Sequence, residues 1–152
     1  MGGIVGLNSG KVMGCVNNAS VYAKGQFAGG IAGAATGSIA NCVNIGTVYS
    51  GKFAGGITTC SQSDLDVSDC FNGGVVEAPT AAGIVVMTGG SAAVSPVFSN
   101  NINVGTVKGS EKSDALIYKN TGLLLFMGAS TIISIVWLLP VMLRQNPTLL
   151  VS

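Results

Sequence analysis

Apolar and polar positions recur at a long, regular interval through the first three quarters of the chain. An asparagine preceded by an apolar residue returns at spacings of 27, 28 and 31 residues, and a valine follows each one four positions later. Another apolar side chain lies five positions before each asparagine, and a Gly-Ile pair opens each unit. The asparagines are Asn17, Asn44, Asn72 and Asn103, and the valines are Val21, Val48, Val76 and Val107. This recurrence predicts a repeat protein.

Each repeat predicts short β-strands. Its apolar runs are brief and are interrupted by Gly, Asn and Ser, without the sustained 3.6-residue period of a helix. Glycine at this density would cost a helix about 1 kcal/mol per site, whereas it suits strand corners that need positive φ. A unit of this length cannot bury a core alone, so neighbours must stack. We predict an all-β parallel β-solenoid, a right-handed β-helix of about four coils, over residues 1–114, with residues 115–122 as a degenerate fifth repeat and linker.

Stacked coils bring equivalent side chains into columns about 4.8 Å apart. The four asparagines are expected to hydrogen-bond from coil to coil, and the four valines to face inward. A third column lies two residues before the asparagines and consists of Cys15, Cys42 and Cys70. We expect buried thiols that pack as small hydrophobes, because side chains stacked in parallel seldom reach the dihedral angle of a disulfide.

Three segments connect the repeat to a known family. Gly-Gly-Ile-Val-Gly at 2–6, Gly-Gly-Ile-Ala-Gly at 29–33 and Cys-Val-Asn-Ile-Gly-Thr-Val at 42–48 resemble the GLUG-type repeats of microbial cell-surface proteins. The resemblance covers residues 1–122 and implies a right-handed β-solenoid stalk that faces outward from the cell. The third and fourth units depart from it, with Thr-Thr-Cys at 58–60 and Val-Val-Met at 85–87 replacing the Val-Gly or Ala-Gly ending.

One long apolar segment follows the repeats. Residues 123–143 contain no charged side chain. As a helix they would measure about 32 Å, enough to cross a hydrocarbon core of about 30 Å. We predict a transmembrane helix at 123–143 and a short polar tail at 144–152. The alternative is that 123–143 packs as a cap on the open end of the solenoid.

The location of the repeats is inferred from two opposing signals. Lys108, Lys112 and Lys119 precede the span, and by the positive-inside rule they favour a cytoplasmic repeat region. The resemblance implies the opposite, and we give it more weight because large domains are translocated largely regardless of charge. Met1 leads directly into a repeat without a signal peptide, so we expect the membrane-proximal end of a longer surface protein.

Composition narrows the function. Charged residues make up 9% of the chain, the net charge is +1, and histidine is absent. This balance argues against nucleic acid as a partner, since no excess of cations exists to neutralise phosphates. A Ser-His-Asp or Cys-His catalytic set is impossible without histidine. We therefore predict a protein that is not an enzyme and that needs no cofactor.

Few residues suggest a ligand. Asp64, Asp66 and Asp69 form the one acidic cluster, and their oxygens make a candidate calcium site, with a solvated turn as the alternative. Tyr22 and Tyr49 are candidate contacts for a protein or glycan partner. The residues before the column valines are expected to face outward, as in the threonine rows of ice-binding surfaces; they are Ser20, Thr47, Val75 and Thr106.

Together these observations predict a non-enzymatic cell-surface stalk, adhesin-like, anchored through 123–143 with its repeats outside. It would present a distal region or bind a partner. The alternative is a secreted, soluble β-solenoid that binds glycan, calcium or ice and uses 123–143 as a cap. A third interpretation is a piece of a larger surface protease that contributes no catalytic residue.

Overall fold

The computed structural model describes residues 1–60, 65–88 and 96–119. These residues form short strands joined by tight corners, with no helix among them. The strands are β1 Val5–Asn8, β2 Lys11–Met13, β3 Val16–Asn17, β4 Val21–Ala23, β5 Phe27–Gly29, β6 Ala32–Ala35, β7 Ser38–Ala40, β8 Val43–Asn44, β9 Val48–Ser50, β10 Phe53–Gly55, β11 Thr58–Cys60, β12 Asp66–Ser68, β13 Phe71–Asn72, β14 Val76–Ala82, β15 Val85–Met87, β16 Val97–Ser99, β17 Ile102–Asn103, β18 Val107–Asp114 and β19 Ile117–Lys119.

Every strand pairs in parallel with its counterpart one repeat away, so the chain winds through four sheets in a fixed order. Sheet 1 is β1-β6-β11-β15-β19, sheet 2 is β2-β7-β12-β16 and sheet 3 is β3-β8-β13-β17. Sheet 4 contains β4, β9, β14, β10 and β5, and β18 pairs with β14. The long β14 pairs with β9 along its first part and with β10 along its last, because it continues through a corner that the earlier coils interrupt.

This winding confirms the predicted parallel β-solenoid. In sheet 3, Asn17 pairs with Asn44, Asn44 with Asn72, and Asn72 with Asn103. The column has four rungs, and three full turns of the chain connect the first rung to the last. Residues 115–119, assigned from the sequence to a degenerate fifth repeat, include β19, which pairs with β15 as the last strand of sheet 1.

The interior contains two apolar clusters. The larger one lies between sheets 1 and 2 and includes Ile31, Ile57 and Ile84, each fully buried. The smaller one lies behind sheet 4 and includes the column residues Val21, Val48 and Val76, with Val107 packed against it. The predicted inward valine column is therefore one wall of the second cluster.

The C-terminal predictions concern residues that the structure does not describe. No helix among residues 1–60, 65–88 and 96–119 has the length and apolar character needed to cross a membrane. The predicted transmembrane helix at 123–143 and the tail at 144–152 lie outside the described residues.

Candidate functional site

A hydrogen-bonded asparagine column runs through the interior of the solenoid. Asn17 Nδ2 donates to Asn44 Oδ1, Asn44 Nδ2 to Asn72 Oδ1 and Asn72 Nδ2 to Asn103 Oδ1, each at 2.8 Å. Each amide nitrogen also donates to the backbone carbonyl two residues onward, such as Gly46 O at 3.0 Å from Asn44. Asn44 and Asn72 are completely buried, so these bonds replace the water that their amides lose on folding.

The column explains why the glycine of each opening Gly-Ile pair is needed. A Cβ added at Gly56 would lie 2.5 Å from Asn72 Cγ and would overlap the carbonyl oxygen of Gly83. The same relation joins Gly30 to Asn44, and Gly83 to Asn103. The Asn side chains thus reach across the interior from sheet 3 to the corner between sheets 4 and 1.

The cysteines form the expected neighbouring column. Cys15, Cys42 and Cys70 are free thiols, and the latter two are buried. The Cys70 thiol donates to Ser68 O at 3.2 Å and reaches Ile39 O in the preceding coil at 3.7 Å. Burial raises the pKa of Cys70 to about 12 and also raises the pKa of Cys42. The two buried thiols therefore stay protonated and pack as small side chains.

In the fourth coil the cysteine position is occupied by Asn101, whose amide makes shorter hydrogen bonds than the Cys70 thiol does. Asn101 Nδ2 donates to Val67 O at 2.7 Å, and Cys70 N donates to Asn101 Oδ1 at 3.0 Å. This buried amide joins coils three and four at the position where the thiols make long contacts. The side chain of Cys60, which the sequence places outside the column, lies outside the described residues.

We expect alkaline pH to weaken the solenoid through Cys70. In the unfolded chain this thiol has its ordinary pKa of 9.0, whereas in the folded chain its pKa is about 12. Between these values the unfolded chain has released a proton that the folded chain retains, so stability falls as pH rises, by at most about 1.4 kcal/mol per pH unit for one thiol. Urea unfolding across this range in the presence of reductant measures the slope. The slope should become shallower in Cys70→Ala, and an equal slope in both proteins would contradict the assignment.

Left-handed backbone at one corner accounts for the position of Asp69, one member of the acidic cluster. Asn41, Asp69 and Asn100 have φ of 52°, 53° and 53°, and Gly14 at the equivalent place has 63°. Gly, Asn and Asp are the residues that tolerate this conformation. Asp69 is thus placed by a backbone requirement that all four coils share, and its carboxylate accepts a bond from Asn100 Nδ2 at 3.1 Å.

The other two calcium candidates are not joined to Asp69 by the described structure. Asp66 is exposed on β12, in register with Ser38 and Val97, and Asp64 lies outside the described residues. Among the described residues no three His, Cys, Asp or Glu side chains approach closely enough to hold a metal ion. Calcium binding by Asp64, Asp66 and Asp69 stays a prediction.

An outward aromatic surface occupies the first two coils of sheet 4. The rings of Tyr22 and Tyr49 stack with centroids 4.5 Å apart, and those of Phe27 and Phe53 with centroids 5.5 Å apart. Lys52 Nζ lies 5.3 Å from the centre of the Phe53 ring. No carboxylate lies on β4, β5, β9 or β10. The aromatic surface is therefore apolar with a positive charge beside it. The tyrosine row continues into Glu77 and Lys108, which form an exposed ion pair at 3.6 Å.

An outward apolar surface lies on sheet 3 and was not predicted from the sequence. The residue before each column asparagine is apolar and points outward, because side chains alternate along a strand. These residues are Val16, Val43, Phe71 and Ile102, with Ile45 and Val104 beside them. Val16 is 61% exposed and Val104 is 70% exposed. The signal was present as an apolar residue at a fixed position in every repeat, and such a row on a surface is typical of a binding face.

The row of residues before the column valines, suggested by the sequence as an ice-binding surface, is only partly polar. Ser20, Thr47 and Thr106 are exposed, whereas Val75 is half-buried and interrupts the row. The row lies beside the aromatic surface, one residue before the buried valines.

Comparison with known proteins identifies no relative: no family model, no curated protein and no solved structure matches the chain. The interpretation of the site therefore depends on its own geometry.

Proposed function

We propose that this chain is a non-enzymatic, cell-surface stalk that holds attached parts away from the membrane and offers its outward faces to a partner. The observation that carries the proposal is the asparagine column, in which every described rung is bonded to the next at 2.8 Å. Because each coil contacts its neighbours through sheets on several sides, a bend would have to open hydrogen bonds along one side. Such a structure suits a stiff spacer.

The anchoring part of the proposal comes from residues 123–143. Their uncharged length matches a hydrocarbon core, so we propose a single transmembrane helix with the repeats outside the cell. We also propose right-handed coils, since crossover connections between parallel strands are right-handed in nearly all proteins. The resemblance of the Gly-Gly-Ile and Asn-Ile-Gly segments to GLUG-type repeats supports the same location and adhesin-like role.

The apolar surface on sheet 3 supports a protein as the partner. Its four in-register rungs carry no charge and expose aliphatic side chains to water. Burial of such side chains by a partner would contribute about 25 cal/mol per Å². The aromatic surface on sheet 4 favours instead a glycan, because aromatic side chains and a lysine together suit sugar rings and their hydroxyl groups.

Vesicle flotation of the full chain tests the anchoring proposal. We expect the full chain to float with phospholipid vesicles in high salt and to need detergent for extraction. The matched variant Ile133→Arg with Ile135→Arg should lose flotation, since each arginine near a helix centre costs about 2.5 to 3.5 kcal/mol on insertion scales. A full chain that stays monodisperse without detergent and does not float would contradict the anchor and favour the secreted, soluble solenoid, with a glycan as its first candidate ligand.

A further inference from the structure

The third rung of the asparagine column differs from the others in the residue that follows it. Asn72 is followed by Gly73, and no other asparagine in the chain precedes a glycine. In the other column pairs the second residue has a side chain: Asn17-Asn18, Asn44-Ile45 and Asn103-Val104. Glycine leaves the backbone nitrogen unhindered and highly flexible in an unfolded chain. An Asn-Gly pair is therefore the sequence in which the asparagine side chain is most readily attacked by the backbone.

We propose that Asn72-Gly73 is a spontaneous deamidation site that opens only when the column unfolds, and that its conversion prevents the column from forming again. In the reaction the Gly73 nitrogen loses its proton and attacks Asn72 Cγ. The new N–Cγ bond gives a succinimide as the Cγ–Nδ2 bond breaks and ammonia leaves. Water then opens the ring to aspartate or isoaspartate. The net change is amide plus water to carboxylate plus ammonium.

The fold blocks this reaction at both reacting groups. Gly73 N donates to Asn44 O at 2.8 Å, so its proton is held in a sheet hydrogen bond. Asn72 is fully buried, accepts from Asn44 Nδ2 and donates to Asn103 Oδ1, both at 2.8 Å. Its Cγ also packs against Gly56, where even one added methyl group would lie 2.5 Å away. The side chain therefore has no room to swing toward Gly73 N, and the buried amide is shielded from water.

The product cannot replace asparagine in the column. An aspartate would place an oxygen where Nδ2 donates to Asn103 Oδ1 and, at 3.4 Å, to Gly74 O. The new carboxylate oxygen would then face Asn103 Oδ1 and Gly74 O, which are both acceptors, and a negative charge would be buried in the interior. Isoaspartate would in addition lengthen the backbone of β13 and shift its register against β8 and β17.

The test compares the full chain held at mildly alkaline pH with reductant, in native buffer and in denaturant, with detergent micelles present in both because of the proposed transmembrane helix. At intervals the denaturant is diluted, recovered β-structure is measured by circular dichroism, and conversion at Asn72 is measured by peptide mass spectrometry. We expect conversion at least about ten-fold faster in denaturant, since exchange-type chemistry at core sites requires opening of the structure. Recovered β-structure should fall in proportion to conversion. Asn44 and Asn103 in the same molecules serve as internal references and should convert far more slowly.

Gly73→Ala is the matched variant. Gly73 is exposed with no left-handed φ, and the nearest neighbour of an added Cβ would be the edge of the half-buried Phe71 ring at 2.9 Å. The equivalent positions already carry Ile45 and Val104, so alanine should fit. After the same time in denaturant this variant should refold as fully as a fresh sample. Equal conversion of wild-type Asn72 in native buffer and denaturant, refolding of converted molecules, or loss of refolding in Gly73→Ala at the wild-type rate would each overturn the proposal. If Gly73→Ala does not fold, converted and unconverted wild-type chains separated by ion exchange give the same comparison.

Discussion

Replacing Asn44 with leucine is expected to cost about 3 to 6 kcal/mol of folding free energy, a large part of the roughly 5 to 15 kcal/mol that holds a typical domain together. The substitution removes the bond from Asn17 Nδ2, the bond to Asn72 Oδ1 and the bond to Gly46 O. Leucine has a similar size, so the interior stays filled. The cost arises because the partners remain buried and lose their hydrogen bonds.

Hydrogen exchange and urea unfolding distinguish a column from an isolated contact. In Asn44→Leu we expect lower protection from hydrogen exchange in the coils on both sides, because the Asn44 side chain is hydrogen-bonded to both Asn17 and Asn72. Asn18→Leu is the control, since Asn18 lies next to the column but is exposed. The folding free energy of this variant should differ from that of the wild type by less than about 0.5 kcal/mol. Loss of protection confined to the coil of Asn44 would contradict the cooperative column.

Gly56→Ala is expected to destabilise the protein by about 3 kcal/mol or more, at the upper end of overpacking penalties. The added methyl group would overlap the Gly83 carbonyl and press on Asn72 Cγ at 2.5 Å. Neither neighbour moves freely, because Gly83 is backbone and Asn72 is held by hydrogen bonds at both ends. Thermal unfolding monitored by circular dichroism gives the size of the effect.

Gly25→Ala controls for the general effect of glycine replacement. A Cβ at Gly25 would have no neighbour within 4 Å, and its φ is not left-handed. We expect no loss, or a gain of about 0.4 to 1 kcal/mol from a less flexible unfolded chain. A similar loss at both glycines would show that the fit between Gly56 and Asn72 is not the cause.

These two experiments also bear on the proposed stalk. A spacer transmits position along its axis only if its coils unfold together, and the column couples each coil to the next through buried, hydrogen-bonded side chains. If Asn44→Leu leaves the other coils protected, the solenoid would still be a repeat fold, but the physical basis for stiffness would lie in the backbone sheets and the apolar clusters rather than in the column.

The roles of several residues were predictable because repetition made them visible. The nearly constant spacing of Asn17, Asn44 and Asn72 already implied stacking, since a repeat this short has no core of its own. Asp69 was not predictable as a corner residue, because a carboxylate near two others suggests a metal site, and the left-handed backbone of its counterparts appears only in the structure. The bonds of Asn101 were equally hidden, because the other coils carry thiols at that position and only the packed interior shows which groups an amide reaches there.

The sequence alone determined the winding of this protein: the repeat length, the parallel stacking and which residues meet their own copies all follow from periodicity, because identical units bury identical faces. The tertiary structure decided what lies across the interior and what remains outside. The contact of Asn72 with Gly56 joins positions 16 residues apart that no period relates, and the apolar surface on sheet 3 depends on which side of each strand faces water. Both are properties of the closed cross-section of the coil, which is set by corner geometry and packing in three dimensions.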